Sequence, residues 1–148
     1  MRLGVGTPTL SSMAAVAFTV NAMVPLPADE AYRRMCDWDD HARWVPFTKV
    51  TTHSPDRFTA WTGIGRLQLE DNMTVVERDD DQRYVKVHKT GPRLLGEASF
   101  TIVPFGVRRS QVQWVESVEV PRLPRILAPV ARVMGRLGFR TALRRFAR

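Results

Sequence analysis

Two hydrophobic periodicities, in a fixed order along the chain, leave few folds open to it. Over residues 16–121 apolar and polar residues alternate in runs broken by turn residues. That period of two puts successive side chains on opposite faces of a strand. The alternation stops only across residues 28–44, where the spacing is helical, and one long amphipathic helix ends the chain. The first run covers residues 16–24, and six more cover about 47–53, 57–62, 67–77, 83–90, 95–105 and 111–120. Their connections Ser54-Pro55-Asp56, Asp79-Asp80-Asp81-Gln82 and Gly106-Val107-Arg108-Arg109 are short and polar, as antiparallel hairpins require. The pattern predicts an α+β chain whose seven-stranded antiparallel sheet curls around the last helix. Such a sheet and helix can enclose a cavity, which suggests holding an apolar small molecule.

The early helices have local causes. Pro25 and Pro27 stop the first strand, and Asp29 and Glu30 lie where the positive end of a helix dipole favours acids. Ala31, Met35 and Trp38 mark the inner side. Asp37, Asp39 or Asp40 can cap a second short helix running to Trp44, which Pro46 ends.

With 148 residues, 44% of them apolar, the chain suits one domain with a single core, expected over residues 13–148. No apolar run approaches the roughly 20 residues that cross a bilayer. The single cysteine, Cys36, has no partner for an internal disulfide, which points to a reducing cytoplasm. Residues 1–22 resemble a secretory signal in starting near Arg2 and ending on a small residue. Thr7, Pro8, Thr9, Ser11 and Ser12 break the apolar region, however, and Val16, Phe18, Val20, Ala22 and Val24 alternate as a strand face does. Residues 1–12 are read as a loose extension, with Met13 an alternative start.

Charge is placed unevenly. Residues 120–148 hold eight arginines and no acid, so of a net charge of +7 the rest of the chain carries −1. A solvated helix back accounts for most of these positions; an anionic membrane surface would exploit them. At about 100° per residue, Ile126, Leu127, Val130, Val133, Met134 and Leu137 gather on one face, expected to meet the core, with Arg125, Arg132 and Arg136 opposite. Beyond Gly138 the phase slips, and Phe139, Leu143 and Phe146 turn toward the side of the earlier arginines. That end suits a membrane interface or a homodimer contact. Specific nucleic-acid binding lacks the aromatic-bearing open sheet or zinc motif that would accompany it.

Chemistry finds few candidates. His41, His53 and His88 lack the short spacings of a metal site, and no cofactor motif occurs. Gly63-Ile64-Gly65 precedes no helix and reads as a turn at a cavity mouth. No Gly-x-Ser-x-Gly elbow is present, and Cys36 has no evident histidine partner. Glu70 and Asp71 are strand neighbours that point to opposite faces. Glu116 differs, because it shares a strand face with Val112, Trp114, Val118 and Val120. A carboxylate placed there must pair with a lysine or arginine, meet a ligand, or shift its proton affinity. It is the one candidate for proton transfer. Trp44, Trp61, Met73, Phe100, Ile102, Trp114, Val130 and Met134 complete the candidate ligand-binding set, as core or as pocket lining.

The start at Val24-Pro25-Leu26-Pro27-Ala28-Asp29-Glu30-Ala31-Tyr32, the exit Trp44-Val45-Pro46, the phrase Gln113-Trp114-Val115-Glu116 and the terminal helix resemble the START/Bet v 1-like (SRPBCC) superfamily. The likeness is strongest to its polyketide cyclase/dehydrase and lipid-transport branch. Trp61-Thr62-Gly63-Ile64-Gly65-Arg66-Leu67 with Asp71-Asn72-Met73 strengthens it. The resemblance implies a helix-grip fold whose cavity binds a lipid, polyketide or aromatic compound without a shared catalytic set. It implies a noncatalytic binder first and a cyclase, aromatase or dehydratase second; the arginine-rich last helix with Phe139 and Phe146 offers an interaction module as a third reading.

Overall fold

The computed structural model describes residues 13–148; the expected extension over residues 1–12 lies outside them. Seven strands form one antiparallel sheet: β1 (Met13–Val24), β2 (Thr48–Ser54), β3 (Arg57–Ile64), β4 (Leu67–Asp79), β5 (Tyr84–Pro92), β6 (Leu95–Pro104) and β7 (Ser110–Pro121). Their spatial order is β1-β7-β6-β5-β4-β3-β2, so each strand from β2 onward pairs with its successor and β1 pairs with β7. The alternation that predicts the strands also decides their inner face. On β7, Val112, Trp114, Glu116 and Val118 are buried, while Gln113, Val115, Ser117 and Glu119 are exposed.

Between β1 and β2 come α1 (Ala28–Met35), a 3-10 turn at Trp38–Asp40 and α2 (His41–Trp44). Helix α1 buries Ala28, Ala31, Tyr32 and Met35, with Asp29 and Glu30 in its first turn and Arg33 and Arg34 in its last. Both ends therefore complement the helix dipole. The expected aspartate caps do not form: neither Asp37 nor Asp40 makes a side-chain capping bond. Asp39 instead accepts from Thr52, and Asp40 faces Arg34 and Arg43.

The register gathers the β3–β4 turn, the β5–β6 turn and the end of β7 at one end of the sheet. Ile64 lies opposite Leu67, Asp71 opposite Pro92, Thr90 opposite Leu95, and Leu95 opposite Glu119. Helix α3 (Ala128–Phe146) starts from this end.

The long C-terminal helix forms as expected, but turned about its axis. Ile126, Val130, Val133, Met134 and Leu137 are between 52% and 83% exposed, and Leu127 is 43% exposed. The packed face is the other one: Ala128, Ala131, Gly135 and Phe139 are half-buried, and Ala142, Leu143 and Phe146 are buried. Size explains the choice. A Cβ on Gly135 would lie 2.8 Å from the Phe18 ring of β1, so the small residues admit a close approach that branched aliphatics would block. The close approach lets the aromatics reach inward. Phe139 packs on Phe18 and Trp114 at 5.5 and 4.9 Å, and Phe146 packs edge-to-face on Trp44 at 5.3 Å. Burying each of Leu143 and Phe146 fully contributes about 1.5–3 kcal/mol.

A candidate ligand cavity with a charged floor

The α1–α2 segment lies over the inner face of the sheet, and a cavity of about 90 Å³ separates the two layers. Trp38, His41 and Trp44 line it from the helical side, Phe58, Phe100, Trp114 and Phe139 wall it with rings, and Met73, Val87 and Ala98 contribute aliphatic surface. The rings are mutually ordered. Trp38 stacks on Phe58 at 4.5 Å and Phe100 on Trp114 at 5.9 Å. Thr48 and Thr62, joined by a 2.8 Å hydroxyl contact, line the side where the wall becomes exposed.

The floor is charged. Asp71 of β4, Lys89 of β5 and Glu116 of β7 are buried, with 8%, 6% and 3% exposure. Lys89 Nζ donates to Asp71 Oδ2 and lies 2.9 Å from Glu116 Oε1. Trp114 Nε1–H donates to Glu116 Oε2 at 2.8 Å. Small residues on the intervening strand make this reach possible: Lys89 is opposite Gly96, and Glu116 is opposite Ala98. Burial works against the Lys89 charge, but the attraction of Glu116 and Asp71 and the hydrogen bonds to both outweigh it. The ammonium is thereby held well above the usual lysine range. Asp71 Oδ1 is buried with no hydrogen-bond partner among the described residues, and so is Trp44 Nε1.

His41 is a further polar group of the lining. Burial pushes its imidazole down to about 4, against smaller upward pulls from the Met35 carbonyl, Asp40 and Asp37. It is therefore neutral near pH 7. A carbonyl can only accept, so His41 Nε2–H donates to Met35 O at 2.7 Å. Cys36 is half-buried, and burial raises its thiol toward the unreactive form.

Of the residues singled out from the sequence, Trp44, Met73, Phe100 and Trp114 line this cavity. Glu116 stands behind it, bound to the lining residue Lys89. Its pairing with a basic strand residue was one of the alternatives its position left open. Trp61 is not part of the lining, because Phe58, Ala60 and Thr62 take the cavity face of β3 and parity sends Trp61 to the other. Ile102 shares the inward face of β6 but is buried in the core beyond the cavity. Val130 and Met134 are outside as well, 58% and 65% exposed on the outer face of α3.

The site also holds residues outside the set expected from the sequence: the polar Asp71, Lys89 and His41, and the apolar Trp38, Phe58, Val87 and Ala98. A signal existed for the first two. Lys89 continues the buried series Val85, Val87, and Asp71 shares a strand face with Met73, so each interrupts an apolar face as Glu116 does. Among the described residues no group of three or more His, Cys, Asp or Glu side chains is placed to hold a metal ion.

Solved structures share the architecture. A START superfamily protein from Mycobacterium smegmatis superposes with a TM-score of 0.74 at 12% identity, over 88% of this chain and 94% of that one. A protein from Thermus thermophilus gives 0.77 at 11% identity over 88% and 94%. The Zhui aromatase/cyclase from a Streptomyces species gives 0.69 at 15% identity over 87% and 91%. At these identities the likeness is one of fold. No functionally curated protein matches the chain. The model of the family described as "Polyketide cyclase / dehydrase and lipid transport" matches residues 24–147. With this match over most of its length and the helix-grip architecture in place, the chain belongs to the polyketide cyclase/dehydrase and lipid transport family.

Proposed function

We propose that this protein binds an apolar, ring-bearing small molecule in the cavity between the sheet and its helices. The observation that carries the reading is the cavity itself, walled by aromatic rings and floored by an ordered charged trio. At about 90 Å³ it is smaller than the roughly 300–1,000 Å³ of pockets that enclose a whole drug-sized ligand. It suits one ring or the end of a larger molecule whose remainder passes Thr48 and Thr62. Native mass spectrometry of protein from its own host, followed by solvent extraction, tests this. A discrete bound species that is lost in Ala98→Phe, which fills the cavity, is expected; a species retained by that variant would refute the site.

The site supports binding more than turnover. Lys89 is held as an ammonium and offers no lone pair for attack on a carbonyl. Both oxygens of Glu116 are engaged, so it is a poor choice for proton transfer. A cyclase, aromatase or dehydratase activity, as in the aromatase/cyclase neighbour, would fall to Asp71, whose Oδ1 is unengaged among the described residues. Turnover of a polyketide-like substrate that survives in Glu116→Gln and vanishes in Asp71→Asn would support that alternative.

The outward face of α3 favours a further contact, with an anionic bilayer. Val130, Val133, Met134 and Leu137 form an exposed aliphatic stripe, continued toward the C-terminus by the exposed Arg140 and Arg144. Phe47, Ile64 and Leu67, 70%, 68% and 86% exposed, lie at the sheet end from which the helix starts. Gly63 N–H donates to Phe47 O at 2.9 Å and ties these tips together. Two copies of the stripe with its arginines would bring like charges together, which disfavours a homodimer through it. Cosedimentation with phosphatidylserine-containing vesicles that weakens at high salt and fails with phosphatidylcholine alone is expected. Equal sedimentation with both lipids would refute the contact.

A further inference from the structure

The charged floor is incomplete in a specific way. Lys89 takes Asp71 Oδ2, Lys89 and Trp114 take the two oxygens of Glu116, and Asp71 Oδ1 is left without a donor among the described residues. Two carboxylates face one ammonium, so the trio carries one negative charge in excess. An acceptor buried at this depth and left unpaired is costly unless something donates to it. The neighbouring polar lining does not: His41 spends its N–H on Met35 O, and Thr48 Oγ1 lies within hydrogen-bonding distance of Pro46 O and Thr62 Oγ1. Trp44 supplies a second, independent sign of a missing partner, because its Nε1–H is also buried in the lining and has no partner among the described residues.

Resting on the binding role proposed above, we infer that Asp71 is a specificity residue that selects a ring bearing a hydroxyl group, whose O–H donates to Asp71 Oδ1. A protonated amine is the other donor that the excess charge would attract. It would place a second ammonium against the carboxylate that already holds Lys89, and would have to shed its water to do so. A neutral hydroxyl completes the carboxylate's bonding without either penalty, and its ring fits the aromatic walls. Hydrogen bonds to a charged acceptor are the strong ones.

Two probes of nearly equal size separate the donor from the ring. 4-Ethylphenol carries the hydroxyl, and 4-ethylanisole keeps the oxygen but has no proton to donate. Calorimetric titration of the wild-type protein is expected to favour the phenol by roughly 10- to 100-fold. In Asp71→Asn the Lys89 ammonium claims the amide oxygen and turns the NH₂ toward the cavity, so the preference is expected to fall to about threefold or less, or to reverse. Equal binding of both probes to the wild type overturns the selection by Asp71 and leaves the cavity reading intact. Binding of neither overturns both. Were the Asn variant not to fold, as its melting curve would reveal, the wild-type ratio alone decides. A phenol preference that persists unchanged in a folded Asn variant overturns the assignment to Asp71.

Discussion

Replacing Lys89 by methionine tests whether the buried trio is held together by charge. The side chain stays long and apolar, but the ammonium that Asp71 and Glu116 share is gone. Glu116 keeps the Trp114 N–H at 2.8 Å, whereas Asp71 loses the only partner of its carboxylate among the described residues, its other oxygen having none. Breaking a buried ion pair by removing one member costs about 3–5 kcal/mol, against about 0–1 kcal/mol for an exposed pair. Exposures of 8%, 6% and 3% place the trio in the first class. A chain of this length unfolds with an entropy of about 0.3 kcal/mol/K near 60 °C, so the loss corresponds to a fall in Tm of roughly 10–17 °C. Urea melts followed by circular dichroism, with thermal melts beside them, measure both quantities. The triple variant Asp71→Leu, Lys89→Met, Glu116→Gln removes all the charge while keeping an acceptor for Trp114, and it should recover to within about 1 kcal/mol of wild type. A single variant that loses less than about 1 kcal/mol, or a triple variant no better than the single one, would refute the reasoning. The folded Lys89 ammonium titrates above the unfolded value near 10.4. Its contribution is thus complete below that pH and is lost only as pH rises through the folded value. The difference between wild type and Lys89→Met should therefore be constant from neutrality to about pH 10.

Burial holds His41 neutral, with its value lowered from 6.5 to about 4, so the unfolded chain takes up a proton that the folded one refuses. Stability should fall by about 3 kcal/mol as pH drops from 6.5 to 4 and then level off, as far as this group is concerned; His41→Gln should flatten that slope in urea melts at stepped pH. Leu143→Ala should lose about 2–5 kcal/mol in the same melts and Leu137→Ala less than about 0.5 kcal/mol, the reverse of what a core-facing aliphatic stripe requires. Leu137→Asp should leave the melt nearly unchanged and abolish cosedimentation with anionic vesicles. Trp114→Phe keeps the ring but not the N–H, and should cost about 1–3 kcal/mol by leaving Glu116 Oε2 unpaired.

What the sequence determined by itself is local: the strands, the early helices and the final helix follow from periods of two and 3.6 and from prolines at their ends. Short polar connections also imply the neighbour pairing from β2 to β7, but the pairing of β1 with β7 joins the first strand to the last and belongs to the tertiary structure. Face by face the reading was as good as its parity. Trp114 and Glu116 sit inside because β7 runs without a slip, whereas Trp61, expected inside, lies on the face of β3 turned from the cavity. Helix α3 posed a different problem. It carries two apolar stripes, and hydrophobicity ranks the aliphatic one first. Only the distance to β1, set by the contact of Gly135 with Phe18, selects the stripe of small and aromatic residues. The charged floor required tertiary structure most of all. Asp71, Lys89 and Glu116 come from three strands, and a lysine that reads as a surface residue in its own strand becomes a buried ammonium only because Gly96 and Ala98 leave room between two carboxylates. Strand periodicity sets which way each side chain points from its own strand, but the charge and the space it meets there belong to its neighbours.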